Sequence, residues 1–572
     1  MKIKRYLFIA LAIGGLSAST SCSDMMDTKS EMVEFVEDNH LSSAQDTLYS
    51  VMGIIRQMQT IADRTVLLGD VRADLLSPMP NATTDIKNMA ALDFSADNSY
   101  NEVSDYYAVV NNCNYFIAHA DTALQKLGYK IFEKEYAAVK AYRAWTYLQL
   151  AKVYGSVPLV TDPVLTEREA EQAMLLPRMG IVDICNYFIS DLQPYVDTEL
   201  PQYGQIDGLN STRFFIPVRV LLGEMCLWAG RYQEACQYLS QYLTLRRAPV
   251  PTYNNAARWN GSVTDFSSAT VNGNSFVTSI TDAGSTENLC FIPMETSEFY
   301  GVKSRLADVY ESNINNDYYY QVTPSQALAN LSAGQDYVIE QKNSDTDIDT
   351  IRVPKTGLRR STQRGDLRLD ASVSQREVNR SETDHYSSQL QTMSKLPSRF
   401  VPIYRVQRVY LLFAEALCRA GYPSSAFCIL KYGLRNQNIE RYVDPCEREA
   451  ASELLNFSDE IFTEQNTLPI HGRGCGDVSC DTLYVLPVPS QALASRQDTL
   501  DYQVSHVEDM IVCEMALETA FEGNRFFDLM RVALRRNDPA YLATPVASRN
   551  GSLDQSLFTR LMDANNWYLP LK

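Results

Sequence analysis

Aromatic rings set beside amides and carboxylates are the residues whose types and spacing suggest chemistry in this chain. A saccharide ring presents C–H faces that stack on an aromatic side chain, and its hydroxyls need amides and carboxylates alongside. Such mixtures gather between residues 246 and 398: Tyr253 and Trp259 with Asn254, Asn255 and Asn260; Phe299 and Tyr300; Tyr310; and Tyr318, Tyr319 and Tyr320 after Asn315, Asn316 and Asp317. Tyr outnumbers Phe by 34 to 21, and a tyrosine, with an apolar face and a polar tip, suits a wet recognition surface. Each ring also has a second reading, as a pin that fastens an irregular loop to a scaffold. Trp259 and the run Tyr318, Tyr319, Tyr320 are the preferred binding candidates, with Asn260 and Tyr300 beside them.

Other chemistries are weaker. The GxSxG, HExxH and P-loop patterns are absent, and the GRGC stretch from Gly472 lacks the strand-turn-helix context of a dinucleotide site. Pairs of carboxylates can be imagined anywhere among 69 Asp and Glu, so they do not argue for a glycosidase, and the chain is read as a binder with no cofactor. His471, Cys475 and Cys480 share one glycine-rich loop. They read as a disulfide between Cys475 and Cys480 or as a metal site for which no fourth ligand is evident, and no metal is assigned.

The elements that must position these residues are helical. Glu514 to Arg531, EMALETAFEGNRFFDLMR, reads as a helix, a tight turn at Gly523 and a second helix packed back on the first. Glu522, Arg525, Asp528 and Arg531 recur every three residues, which makes opposite charges neighbours on a helix, and Phe521, Phe526 and Phe527 hold the corner. A helix is expected from Ala44 to near Asp63, then an Asp70, Arg72, Asp74 stretch and loop as far as Asn98. Further helices run from about Tyr100 and, beyond a Gly128 turn, from about Phe132 to Tyr154; Trp145 falls on the core face of the second. Arg219–Leu239 overlays Tyr410–Leu430 as an internal repeat: Glu224 meets Glu415, Ala229 and Gly230 meet Ala420 and Gly421, and Leu239 meets Leu430. The fold class is therefore mainly α, a tetratricopeptide-like scaffold of about four helical hairpins over about 44–245 and 399–540. Residues 246–398 form one large loop-rich insertion with short strands.

Net charge excludes some partners and the N-terminus suggests a location. A formal charge of −18 repels nucleic acid and anionic lipid. Lys2, Lys4 and Arg5, then apolar Tyr6 to Leu16, then small residues up to Ser21 are the layout of an export signal over 1–21, too short to span a membrane. Cys22 follows at once. No later apolar run of membrane-spanning length occurs, so membrane attachment would be through lipid.

Glu518, Phe521, Glu522, Gly523, Arg525, Asp528, Leu529 and Arg531 match an ELxFEGxRxxDLxR pattern, and on it the chain resembles the SusD/RagB family of outer-membrane nutrient-binding lipoproteins from end to end. The resemblance implies that Cys22 follows a lipobox and is acylated after cleavage, although Ser19 stands where leucine is usual and ordinary signal cleavage is the alternative. It implies one SusD/RagB-like domain over 22–572, exposed at the cell surface on a lipid anchor in the outer membrane. It implies capture of an oligo- or polysaccharide and its delivery to a SusC-like TonB-dependent transporter. Asp70 and Arg72 loosely match a family segment that opens on the ligand side; as a local ion pair they would instead order the loop. A RagB-like peptide binder, a helical-repeat adaptor that binds only protein, and a hydrolase are the other readings.

Overall fold

The computed structural model describes residues 44–94, 97–126, 128–246, 255–262, 265–296, 299–311, 320–342, 348–352, 365–379, 387–467 and 469–571. Its scaffold is helical. The first helix, α1 (Ala44–Asp70), runs about two turns beyond the end expected near Asp63. Leu67 and Leu68 continue its buried face, and Gly69 lets its last turn seat against the Gly523 turn; a Cβ on Gly69 would stand 1.7 Å from the Gly523 carbonyl oxygen. The region before Asn98 is more regular than expected. It holds a strand, Leu76–Pro78, paired with Val322–Pro324, and a helix of 7 residues, Thr84–Ala90, whose N-cap Thr83 accepts from the Ile86 N–H.

The helices α2 (Val103–His119) and α3 (Glu133–Tyr154) form the next hairpin. Small and large residues alternate along α3, so neighbours approach from every side and Ala138, Ala141, Tyr142, Trp145 and Leu148 are all buried. It stops at Gly155, whose φ of 76° is open to glycine at little cost. Next, α4 (Ile181–Leu192) packs between α3 and α5 (Val218–Trp228), which pairs with α6 (Tyr232–Arg246). The repeated hairpin is α7 (Val406–Arg419) with α8 (Pro423–Lys431), and α7 packs on α6. Both copies turn at a left-handed glycine, Gly230 at φ 74° and Gly421 at φ 92°. The last pair is α9 (Arg496–Glu518) and α10 (Arg525–Arg536); its corner needs two left-handed residues, Phe521 at φ 69° and Gly523 at φ 80°.

The strands are short antiparallel pairs. In the one that matters for the architecture, β1 (Asn288–Pro293) pairs with β2 (Phe400–Arg405), so the insertion returns to the scaffold beside α7. Its outer parts are hairpins, among them Arg258–Ser262 with Asp265–Asn272, and short helices such as Asn274–Thr281. A small separate apolar cluster of Ala257, Phe276, Ile280, Tyr337 and Leu367 lies beneath them. Among the described residues no helix is long and apolar enough to cross a membrane.

Candidate functional site

Charge at the Gly523 corner is consumed internally. Glu514 and Glu518 stand one helical turn apart at the end of α9, Glu522 follows in the corner, and each meets cations from distant parts of the chain. The Arg368 guanidinium donates to Glu514 at 2.9 Å and to Glu518 at 3.1 Å; Arg473 donates to Glu518 at 3.1 Å and to Glu287 at 3.1 Å; Arg405 and Lys395 close on Glu522 at 2.7 and 2.6 Å. All of these groups are nearly or wholly buried. Burial alone would raise the glutamates, but Arg368 beside Glu514, and Arg473 with Arg405 beside Glu518, overcome it and hold both carboxyls down at about 2. Ions removed from water this completely persist only because each is paired.

The three-residue charge spacing is mostly not a local ladder. Only Arg531 and Asp528 pair along the helix, at 2.9 Å. Arg525 donates to Asp74 at 2.7 and 2.8 Å, Asp528 accepts two bonds from Arg408 at 2.7 Å, and Arg531 reaches Glu415 at 2.5 and 2.8 Å. The repeated glutamates share this duty: Glu224 takes Lys152 at 3.0 Å from α3, as Glu415 takes Arg531 from α10.

Asp70 and Arg72 belong to the same architecture, which corrects both readings of them. The Gly523 N–H donates to Asp70 at 2.9 Å, and burial pushes the Asp70 carboxyl up to about 8. Arg72 donates to the carbonyls of Leu68 at 2.6 Å and Trp567 at 2.9 Å, with its guanidinium 4.2 Å from the Phe526 ring; burial lowers it to about 9. Both are 0% exposed, so in this conformation neither has surface to offer a ligand, and Asp74 and Arg525 form the ion pair instead.

The aromatic candidates separate. Trp259 is half-buried on its hairpin, edge-on to Tyr337 with centroids 6.4 Å apart, and its indole N–H finds no acceptor among the described residues. Asn260 lies in the same strand opposite Thr270. Tyr300 is 82% exposed, on a loop anchored to α1 where the Val302 N–H donates to Gln59 at 2.8 Å. Tyr318 and Tyr319 lie outside the described residues, as does Tyr253. Tyr320 is buried at φ 54°, with its N–H on the Glu311 carbonyl at 2.9 Å and its hydroxyl on Thr323 at 3.1 Å, so it pins its loop and is no ligand platform. Tyr310 is buried as well.

Cys475 and Cys480 are not joined. The Cys475 thiol donates to Asp366 at 3.3 Å, and the Cys480 thiol to the Asp477 carbonyl at 3.0 Å. His471 meets Glu514 at 2.5 Å and stacks on Tyr484 at 3.9 Å, which commits its ring elsewhere.

A cleft of about 1010 Å³ contains none of the expected residues. It opens between the end of α3, the start of α4 and a C-terminal strap, Ala564 to Leu571. The strap is tied down at three points: Arg72 donates to the Trp567 carbonyl at 2.9 Å, the Leu569 N–H to Val153 at 2.9 Å and Asn101 to Pro570 at 3.2 Å. Tyr568 packs its ring on Gly155, where a Cβ would come within 3.0 Å of it. Phe94 supplies a second half-buried ring, and Asp93, Asp183, Arg178, Asn565 and Asn566 line the cleft as exposed polar groups. Rings beside amides and carboxylates are what saccharide recognition asks for, and the volume is in the upper part of the range typical of small-molecule sites, roughly 300–1,000 Å³. Nothing local in the sequence of Asn565 to Pro570 marks a site, and the glycine at 155 signals there only the end of a helix.

Solved structures superpose on most of this chain. The chain has the SusD-like fold. A SusD-like protein of Bacteroides fragilis superposes with a TM-score of 0.54 at 16% identity, over 86% of this chain and 87% of that one. A SusD superfamily protein of Bacteroides vulgatus gives 0.53 at 14% identity over 91% and 92%, and a SusD-like carbohydrate binding protein of Bacteroides fragilis 0.52 at 13% over 87% of each. No family model and no curated protein matches the sequence. Within the SusD-like fold the Gly523 corner is structural, because among the described residues its charges are spent on one another and on buried polar and backbone groups.

Proposed function

We propose that this chain is a surface lipoprotein of the SusD/RagB kind that captures a glycan and passes it to a SusC-like TonB-dependent transporter in the outer membrane. The observation that carries the reading is the cleft, where the rings of Tyr568 and Phe94 lie among Asn565, Asn566, Asp93 and Asp183 on a SusD-like scaffold. One solved structure of that fold is described as a carbohydrate binding protein, which favours the same ligand class here. Residues 1–21 are the export signal, acylation of Cys22 supplies the anchor, and 22–572 act as one domain whose insertion, about 246–398, adds Tyr300 and Trp259 to the recognition surface. The chain acts as a binder and not a hydrolase: among the described residues the clustered carboxylates Glu514, Glu518 and Glu415 are each tied to arginine, and the exposed Asp93 and Asp183 of the cleft serve as hydrogen-bond partners for sugar hydroxyls.

The test is calorimetric titration of the soluble chain begun after Cys22 against a panel of polysaccharides and peptide mixtures, with Trp259→Ala, Tyr300→Ala and Tyr319→Ala alongside. Saccharide binding without release of shorter products is expected. Peptide binding alone would replace this reading with a RagB-like peptide carrier.

A further inference from the structure

We infer that the cleft beside the C-terminal strap takes an uncharged oligosaccharide and refuses acidic ones, with Tyr568 as its platform; this rests on the glycan-capture reading above. The platform is built, not incidental. Gly155 combines a left-handed φ of 76° with the absence of a Cβ at the place where the Tyr568 ring lies, so the ring is held flat on backbone. The residues on either side of Tyr568 are tied down, the Trp567 carbonyl accepting from Arg72 at 2.9 Å, the Leu569 N–H donating to Val153 of α3 at 2.9 Å and the Pro570 carbonyl accepting from Asn101, just before α2, at 3.2 Å. A ring so restrained loses little freedom when a sugar stacks on it.

Charge selects against acidic sugars. Among the described residues the cleft is lined by two guanidiniums, Arg178 and Arg560, by two carboxylates, Asp93 and Asp183, and by no lysine. Arg560 is half-buried and donates to the Ala91 carbonyl at 2.9 Å, while both carboxylates are exposed. A uronate chain would meet two exposed anions and one exposed cation, in a molecule whose formal charge of −18 already repels polyanions. A neutral chain meets the same groups as hydrogen-bond partners for hydroxyls.

The experiment measures binding of starch, xyloglucan and mixed-linkage β-glucan against polygalacturonate and hyaluronan to the chain begun after Cys22. The wild type is expected to bind a neutral probe with an affinity unchanged between about 0.05 and 0.5 M NaCl. Tyr568→Ala and, as a second variant that leaves the strap intact, Phe94→Ala should each weaken it by about tenfold or more, while Tyr568→Phe retains it. Asp93→Asn with Asp183→Asn should create salt-sensitive binding of polygalacturonate at least about tenfold above the wild type. Preference of the wild type for an acidic probe overturns the inference. So does glycan binding lost in Tyr300→Ala but untouched by the cleft variants, although capture itself would then stand. Binding of peptides with no glycan bound removes both.

Discussion

The Gly523 corner and the strap cleft are furnished with the same side chains, Arg, Asp, Asn and aromatics, and use them in opposite ways. At the corner Glu514, Glu518 and Glu522 lie beneath the surface, each with guanidinium or ammonium groups on it, so the charge fixes where five remote segments meet. At the cleft, Asp93, Asp183 and Arg178 stand in water. Burial, and not residue type, decides which group of charges holds the protein together and which is left for a ligand.

The comparison is broken most severely at Glu518, which is shared by Arg368, Arg405 and Arg473. Glu518→Ala strands those buried cations and should cost about 3–5 kcal/mol, read as the shift of the urea midpoint at constant slope. Acid attacks the same place. Glu514 and Glu518 have folded-state values of about 2, below the ordinary 4.5, so their contribution to stability is full above pH 4.5 and drains away as the pH falls towards 2. Denaturation between pH 6 and 2.5 should show this loss, reduced in Glu514→Gln.

Gly523→Ala comes next. Its Cβ would meet the Thr65 carbonyl oxygen at 2.4 Å in a left-handed conformation, and a penalty of at least about 2 kcal/mol is expected by thermal melting. Asp70 gives the opposite pH trend to the glutamates. Its folded-state value is raised from 3.8 to about 8, so the stability it lends is complete below pH 3.8 and fades as the pH rises to 8. Asp70→Asn keeps an acceptor for the Gly523 N–H and should therefore gain on the wild type as the pH climbs from 5 to 9; equal melting curves across that range would assign Asp70 an ordinary acidity. The smallest effect sharpens the contrast from the other side: Asp93→Asn and Asp183→Asn should change stability by under about 0.5 kcal/mol each.

Sequence periodicity carried the scaffold well and the site poorly, for a physical reason. The hairpins at Gly230 and Gly421 declare themselves through local signals, an Ala-Gly turn and apolar residues at helical spacing, and both turns stand where the repeat put them. The partners of Glu522 and Arg525 are more than a hundred and more than four hundred residues away, so spacing alone suggested an i, i+3 ladder where the chain makes tertiary pairs. Asp70 and Arg72 look like surface polarity until Gly523 and Trp567 cover them. Tyr320 and Tyr300 stand twenty residues apart in similarly polar sequence, yet one is buried and the other exposed, a difference set by which backbone groups the neighbouring turns satisfy. The cleft joins residues 93, 155, 183 and 568, and no local pattern links them.

The contact of Gly69 with Gly523 also sets an order of events. Asp70 and Gly523 lie 453 residues apart, and the carboxylates of the corner bind cations drawn from residues 368 to 473. A chain made from its N-terminus therefore leaves the end of its first helix uncovered until almost the last residues emerge, and the search for so distant a partner is slow. Final closure is a late event that depends on the whole chain, and a truncation just before Gly523 would leave the first helix without its seat and Glu518 without the second half of its corner.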